Sequence, residues 1–153
     1  MDKKLQIKKI LLESCRKLVK KKYETVIQII ASNKKALESE TKSSAGDKHE
    51  TGRAMLQLEM EKASQQFSSI ASMQEVLQKL DVQNRNEIGK LGSLILTNQG
   101  NYFLAISIGI IVIDNKDYFV ISPSSPIGKF LLGKKKGGQF SFNGKDYRIE
   151  DIY

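Results

Sequence analysis

Residues 3–42 contain neither glycine nor proline. A stretch of that length without a backbone breaker reads as one continuous helix, and its apolar spacing agrees. Leu5, Leu12, Val19 and Val26 recur every seven residues, Cys15 and Ile29 fall three residues after members of that series, and Leu11, Leu18 and Ile30 widen the stripe. This is the period of a helix packed lengthwise on a partner helix. The small, turn-prone residues 43–47, Ser-Ser-Ala-Gly-Asp, break the pattern. A second series follows, Leu56, Ala63, Ile70 and Leu77, with Met60 and Phe67 four residues after Leu56 and Ala63. Two long helices joined by a short turn are expected to run antiparallel. Arms of roughly 33 to 38 residues would reach about 50 Å. The spacing therefore predicts an antiparallel coiled-coil hairpin over residues 1–82 with its tip at 43–50. One arm of an oligomeric coiled coil is the alternative, but matching stripes on both helices favour pairing within a monomer.

After Leu80 the pattern changes. Residues 81–87 are polar and read as a linker. Short β-rich runs follow at Ser93–Thr97, Tyr102–Ile108, Ile110–Ile113 and Tyr118–Ser122, punctuated by Gln99-Gly100, Gly109 and Asp114-Asn115-Lys116. Ser125-Pro126 opens a helical turn through Leu132, with Gly133 suited to its C-terminal cap. Gln139–Phe142 and Tyr147–Ile152 flank Asn143-Gly144, the signature of a type I′ hairpin. The fold class expected is α+β: a helical hairpin followed by a small β-rich domain over residues 88–153.

No apolar run is long enough for a membrane span, and the charged start, Met1-Asp2-Lys3-Lys4, is not followed by an apolar secretory segment. A cytoplasmic protein with no membrane partner is expected. The single Cys15 falls on the apolar stripe and reads as a buried structural thiol. Net charge is +8. Residues 1–42 hold 12 Lys/Arg against 5 Asp/Glu, so they carry almost all of the excess. Such a stripe suits a polyanion such as nucleic acid, and equally a solvated helix face. Lys8, Lys9, Arg16, Lys17, Lys20 and Lys21 are expected to be exposed, mostly clear of the apolar series, and to be candidates for RNA contact.

His49 is the only histidine, and no P-loop, dinucleotide fingerprint, paired Cys-x-x-Cys or His-Glu-x-x-His is present. The informative place is the tip, where Asp47 and Glu50 stand three residues apart at the start of the second helix. That spacing can project both carboxylates to one side, where a hard cation such as Mg²⁺ would use them. The same two residues also spell a capping box, in which each carboxylate satisfies a backbone amide of the other.

In length and order of parts, nearly the whole chain resembles the Gre transcript-cleavage factors of bacterial RNA polymerase. The most specific segment is Ser125-Pro126-Ile127-Gly128-Lys129-Phe130-Leu131-Leu132-Gly133-Lys134, and Gly46-Asp47-Lys48-His49-Glu50 matches the family's tip. The resemblance implies an FKBP-like second domain. It implies docking of that domain on RNA polymerase, here matched by Ser125, Pro126, Gly128 and Lys129, and entry of the hairpin into the secondary channel. It also implies that Asp47 and Glu50 complete a Mg²⁺ site there and stimulate cleavage near the 3′ end of backtracked RNA. By this reading the chain is not itself an enzyme, holds no Mg²⁺ tightly alone, and binds RNA, or the nucleic acid of the transcription complex, through its basic helix.

Two features depart from the family. Thr51-Gly52-Arg53-Ala54 stands where it usually has Asn-Ala-Glu-Tyr, and Ser124 where it often has an acid. A channel-binding inhibitor or modulator without cleavage stimulation is therefore the nearest rival. A peptidyl-prolyl isomerase would want an aromatic pocket with a Trp floor, and this chain has no Trp. A structural or chaperone hairpin would leave the tip and the Ser-Pro-Ile-Gly run unused.

Overall fold

The computed structural model describes the backbone of residues 2–42 and 46–153, and the side chains of residues 2–39 and 51–153. It is an α+β protein: a long N-terminal helical region followed by a six-stranded mixed sheet. Helix α1 (Lys3–Lys42) and helix α2 (Gly46–Lys79) lead into β1 (Leu94–Thr97), β2 (Gly100–Leu104), β3 (Gly109–Ile113) and β4 (Lys116–Ile121). The short helix α3 (Pro126–Leu131) precedes β5 (Gln139–Phe142) and β6 (Lys145–Ile152). The chain packs as two compact units, one made of residues 1–17 with 75–153 and the other of residues 18–74. Among the described residues no helix is long and apolar enough to cross a membrane.

In the second unit the seven-residue series forms the seam. Val19, Val26, Ala63 and Ile70 are buried, and the Tyr23 and Phe67 rings meet at 5.8 Å between centroids. Ile29, which the spacing also assigned to the stripe, is 39% exposed. Asn33 continues the series seven residues after Val26 and is buried, with no hydrogen-bond partner for its Nδ2.

The first unit carries the sheet, ordered β3-β4-β2-β1-β6-β5. All neighbours are antiparallel except β2 and β4. That one parallel pairing explains why β2 stops at Leu104 rather than running to Ile108. The chain must leave β2 and pass β4 to reach the outer position of β3. Residues 105–108 make the crossing, held by Ala105 N–H to the Ile121 carbonyl (2.8 Å) and Ile108 N–H to the Val120 carbonyl (3.3 Å). Of the three hairpins with two-residue turns, β3/β4 and β5/β6 have positive φ at each central residue: Asp114 (51°) and Asn115 (61°), then Asn143 (51°) and Gly144 (75°). This is the twist that type I′ turns share with paired strands. Ile95, Tyr102, Leu104, Leu131, Tyr147, Ile149 and Ile152 form the core of the sheet.

The segment read as a linker is pinned. Asp81 accepts from Gln83 N–H (3.0 Å) and from the Asn84 amide (3.1 Å). Arg85 pairs with Asp151 at 2.6 Å and lies over the Tyr153 ring. Val82 and Asn86 are buried.

Candidate functional site

Helix α1 ends at Lys42 and α2 begins at Gly46, so Asp47 and Glu50 fall in the first turn and the start of the second turn of a 34-residue helix. Three apart on a helix, they share a side. The side chains of Asp47, His49 and Glu50 lie outside the described residues. Just beyond them Thr51 and Arg53 are exposed. Among the described residues no cluster of three or more His, Cys, Asp or Glu is gathered to hold a metal ion. Two carboxylates alone supply only part of an octahedral Mg²⁺ shell, so the rest must come from water and a second molecule.

The basic residues of α1 do not form one exposed stripe. Lys8, expected outside, is fully buried, and its Nζ donates to the Asn84 carbonyl at 3.0 Å. Burial lowers its pKa from 10.5 to about 8, with the Asp81 carboxylate opposing the shift and the Lys90 ammonium adding to it. The reason is geometric. Lys8 stands four residues before Leu12 and seven before Cys15, both buried, so it lies on the inward face. That spacing was readable in the sequence. An ammonium buried in the interior and held on a carbonyl is out of reach of RNA, which removes Lys8 from the candidate set. Lys9 is half-buried, and Arg16 is exposed but paired with Glu13 at 2.7 Å. Lys17, Lys20 and Lys21 are exposed as expected. Cys15 is buried, and burial raises its pKa to about 11, so its thiol stays protonated and unreactive at neutral pH.

The Ser125 segment is built around a cap. The Ser125 side chain accepts from Gly128 N–H (3.2 Å) and donates to the Ser122 carbonyl (2.6 Å), while Pro126 takes the first helical turn. At Gly128 any larger residue would collide with backbone, since an added Cβ would stand 2.2 Å from the Ser122 carbonyl oxygen. Ser125 and Gly128 thus have structural work, while Pro126 and Lys129 are exposed and free to meet another surface. Ser124 shares a 2.7 Å hydrogen bond with Ser122. Gly133 follows the C-cap Leu132 with a φ of 75°, as its place after the helix required, and its N–H donates to the Gly89 carbonyl at 2.7 Å, tying α3 to the start of the sheet.

One feature escaped the sequence reading: a row of aromatic rings. Tyr102 stacks on Phe119 at 5.2 Å, Phe140 on Tyr147 at 4.9 Å, and Phe130 of α3 on Phe140 at 5.3 Å. The alternation Phe140-Ser141-Phe142 was its only local signal, because the other members come from α3 and from strands separate in sequence.

No protein-family model, curated protein or solved structure matches this chain.

Proposed function

We propose that the protein is an accessory factor of RNA polymerase that enters the secondary channel and stimulates cleavage of backtracked RNA. The observation that carries this reading is the placement of Asp47 and Glu50. They lie where a 40-residue helix gives way, after three residues, to a 34-residue one. Partners along the helices approach each other in number: Lys8 meets Asn84, and Tyr23 meets Phe67. That order suits an antiparallel hairpin with the carboxylates at its tip. The six-stranded sheet with its capped α3 is then the docking module, FKBP-like in this reading, with Pro126 and Lys129 on the surface offered to the polymerase.

Asp47 and Glu50 would hold Mg²⁺ jointly with polymerase groups. When bound, the ion lowers the pKa of a water and neutralises charge on the phosphodiester. Asp47 and Glu50 would orient a water for attack on phosphorus, with the 3′-oxygen of the retained transcript as the leaving group, protonated from solvent, and the released 3′ fragment keeping the phosphate at its 5′ end. Exposed Lys17, Lys20 and Lys21 offset the phosphate charge of the extruded RNA. The reading takes the factor as a cytoplasmic monomer with no catalysis of its own.

Arg53 favours a second reading. It is exposed on α2 three residues after Glu50, where it weakens the negative field of the tip. A protein that occupies the channel and slows nucleotide addition without cleavage would tolerate this.

The test is Asp47→Asn with Glu50→Gln on a stalled, backtracked complex. Cleavage should fall at least a hundredfold, as expected for lost transition-state charge stabilisation, with polymerase affinity and circular dichroism retained. Absence of cleavage by the parent, with slowed nucleotide addition, assigns the inhibitor role. Absence of any binding to core polymerase rejects both.

A further inference from the structure

In the second unit, helices α1 and α2 leave a groove of about 550 Å³. Its floor is aliphatic: Val26 and Ile70 are buried, Met73 is half-buried and Ile29 is 39% exposed. Lys21 and Lys22 stand exposed on the α1 side, and among the described residues no carboxylate pairs with either ammonium. Gln66 and Ser69 line the α2 side, and no Asp or Glu lines the groove at all. A concave apolar floor with two unneutralised cations on one rim is an asymmetric receptor. We propose that it docks an amphipathic helix of a partner protein whose apolar stripe is flanked on one side by Asp or Glu.

The charge and chemistry of the groove select this occupant over three others. Nucleic acid would use the lysines but gain nothing from the floor, because no aromatic ring lines the groove to stack a base. A second copy of this chain would need a self-complementary contact, and a groove with two lysines and no carboxylate is not complementary to itself. A membrane surface is flat and meets a convex apolar face, whereas here the apolar residues form a floor between two helices. A helix bearing aliphatic anchors at i, i+3 or i+4, and i+7 fills such a groove, and acidic residues beside that stripe meet Lys21 and Lys22. The inference shares Lys21 with the proposed RNA contact but uses neither the tip nor α3, so it is tested apart from transcript cleavage.

The test uses the full chain and a fluorescein-labelled peptide of about 18 residues, five helical turns, with Leu at the anchor positions and Glu along one flank. Fluorescence anisotropy should saturate. Lys21→Glu with Lys22→Glu should weaken binding at least about tenfold, and Ile29→Asp should do the same. Met73→Gln supplies that second readout if circular dichroism shows Ile29→Asp to be unfolded. Lys34→Glu with Lys35→Glu, at exposed sites outside the groove, should leave binding unchanged. Lack of saturable binding overturns the proposal. So does equal binding of a scrambled peptide, an equal loss on reversing Lys34 and Lys35, or self-association of the chain through this groove.

Discussion

Replacing Lys8 by methionine keeps an unbranched stem in the interior and removes the ammonium. Burial lowers the pKa of Lys8 from 10.5 to about 8, against the pull of Asp81 and with the repulsion of Lys90. In the unfolded chain the amine keeps its ordinary value. Between pH 8 and 10.5 the unfolded chain therefore holds a proton that the folded chain has released. Stability rises with pH wherever the unfolded state binds more protons, so Lys8 makes the fold more stable as pH climbs through this window. The full interval is worth about 3 kcal/mol at about 1.4 kcal/mol per pH unit. Local relaxation around the charged amine lowers the realised value, so about half of that, ~1.5 kcal/mol, is the expected gain.

Cys15 works in the opposite direction. Its pKa is raised from 9.0 to about 11, so stability from that thiol is lost as pH rises above 9. The two effects mask each other in the parent protein but separate in a comparison. Urea titrations followed by circular dichroism at pH 7 and pH 10 should show the parent gaining ~1.5 kcal/mol on Lys8→Met across that interval. Burial also raises the hydroxyls of Tyr102 and Tyr118, whose contributions turn unfavourable above pH 10, so the comparison stops there. Parallel pH curves for the two proteins would refute the assignment of Lys8 as a buried, partly deprotonating amine.

Gly128→Ala should destabilise the first unit by about 2–3 kcal/mol, because the new methyl meets fixed backbone at Ser122 and cannot be relieved by a side-chain rotation; an unchanged thermal midpoint would show that α3 can shift away. Asn115→Gly should stabilise by about 0.5–1 kcal/mol, since Asn115 holds a φ of 61° in the second position of a type I′ turn, where glycine carries no Cβ penalty. A lower melting temperature for that variant would indicate that the Asn115 side chain contributes more than its backbone strain costs.

The parts of the fold most legible in the sequence were those governed by local periodicity. Seven-residue spacing located the buried Val19, Val26, Ala63, Ile70 and Leu77, and Asn143-Gly144 located its turn to the residue. What stayed hidden depends on partners remote in the chain. The end of β2 at Leu104 is set by its parallel register with Ile121 of β4, which no local pattern encodes. Lys8 was misassigned because its charge was weighed above its position on the helix. Asn33 was overlooked for the same reason, as a polar residue occupying a seam position. For the candidate site, the carboxylate spacing at 47 and 50 was plain in the sequence. In the Ser125 segment the cap was legible, but the close packing at Gly128 required the path of residues 122–123.

The first unit is assembled from two stretches with residues 18–74 between them. During synthesis its opening seventeen residues leave the ribosome before any of their packing partners exist. At about 5–20 residues per second that wait lasts several seconds or more. The intervening stretch shortens the search that follows. Leu18 and Met73, near its two ends, line the same groove, so once α1 and α2 pair, residues 17 and 75 are delivered to each other. A closure spanning more than fifty residues then becomes a short one. The second unit thus acts as a clasp on the folding of the first, and a lesion in its seam would be expected to slow formation of a sheet it never touches in sequence.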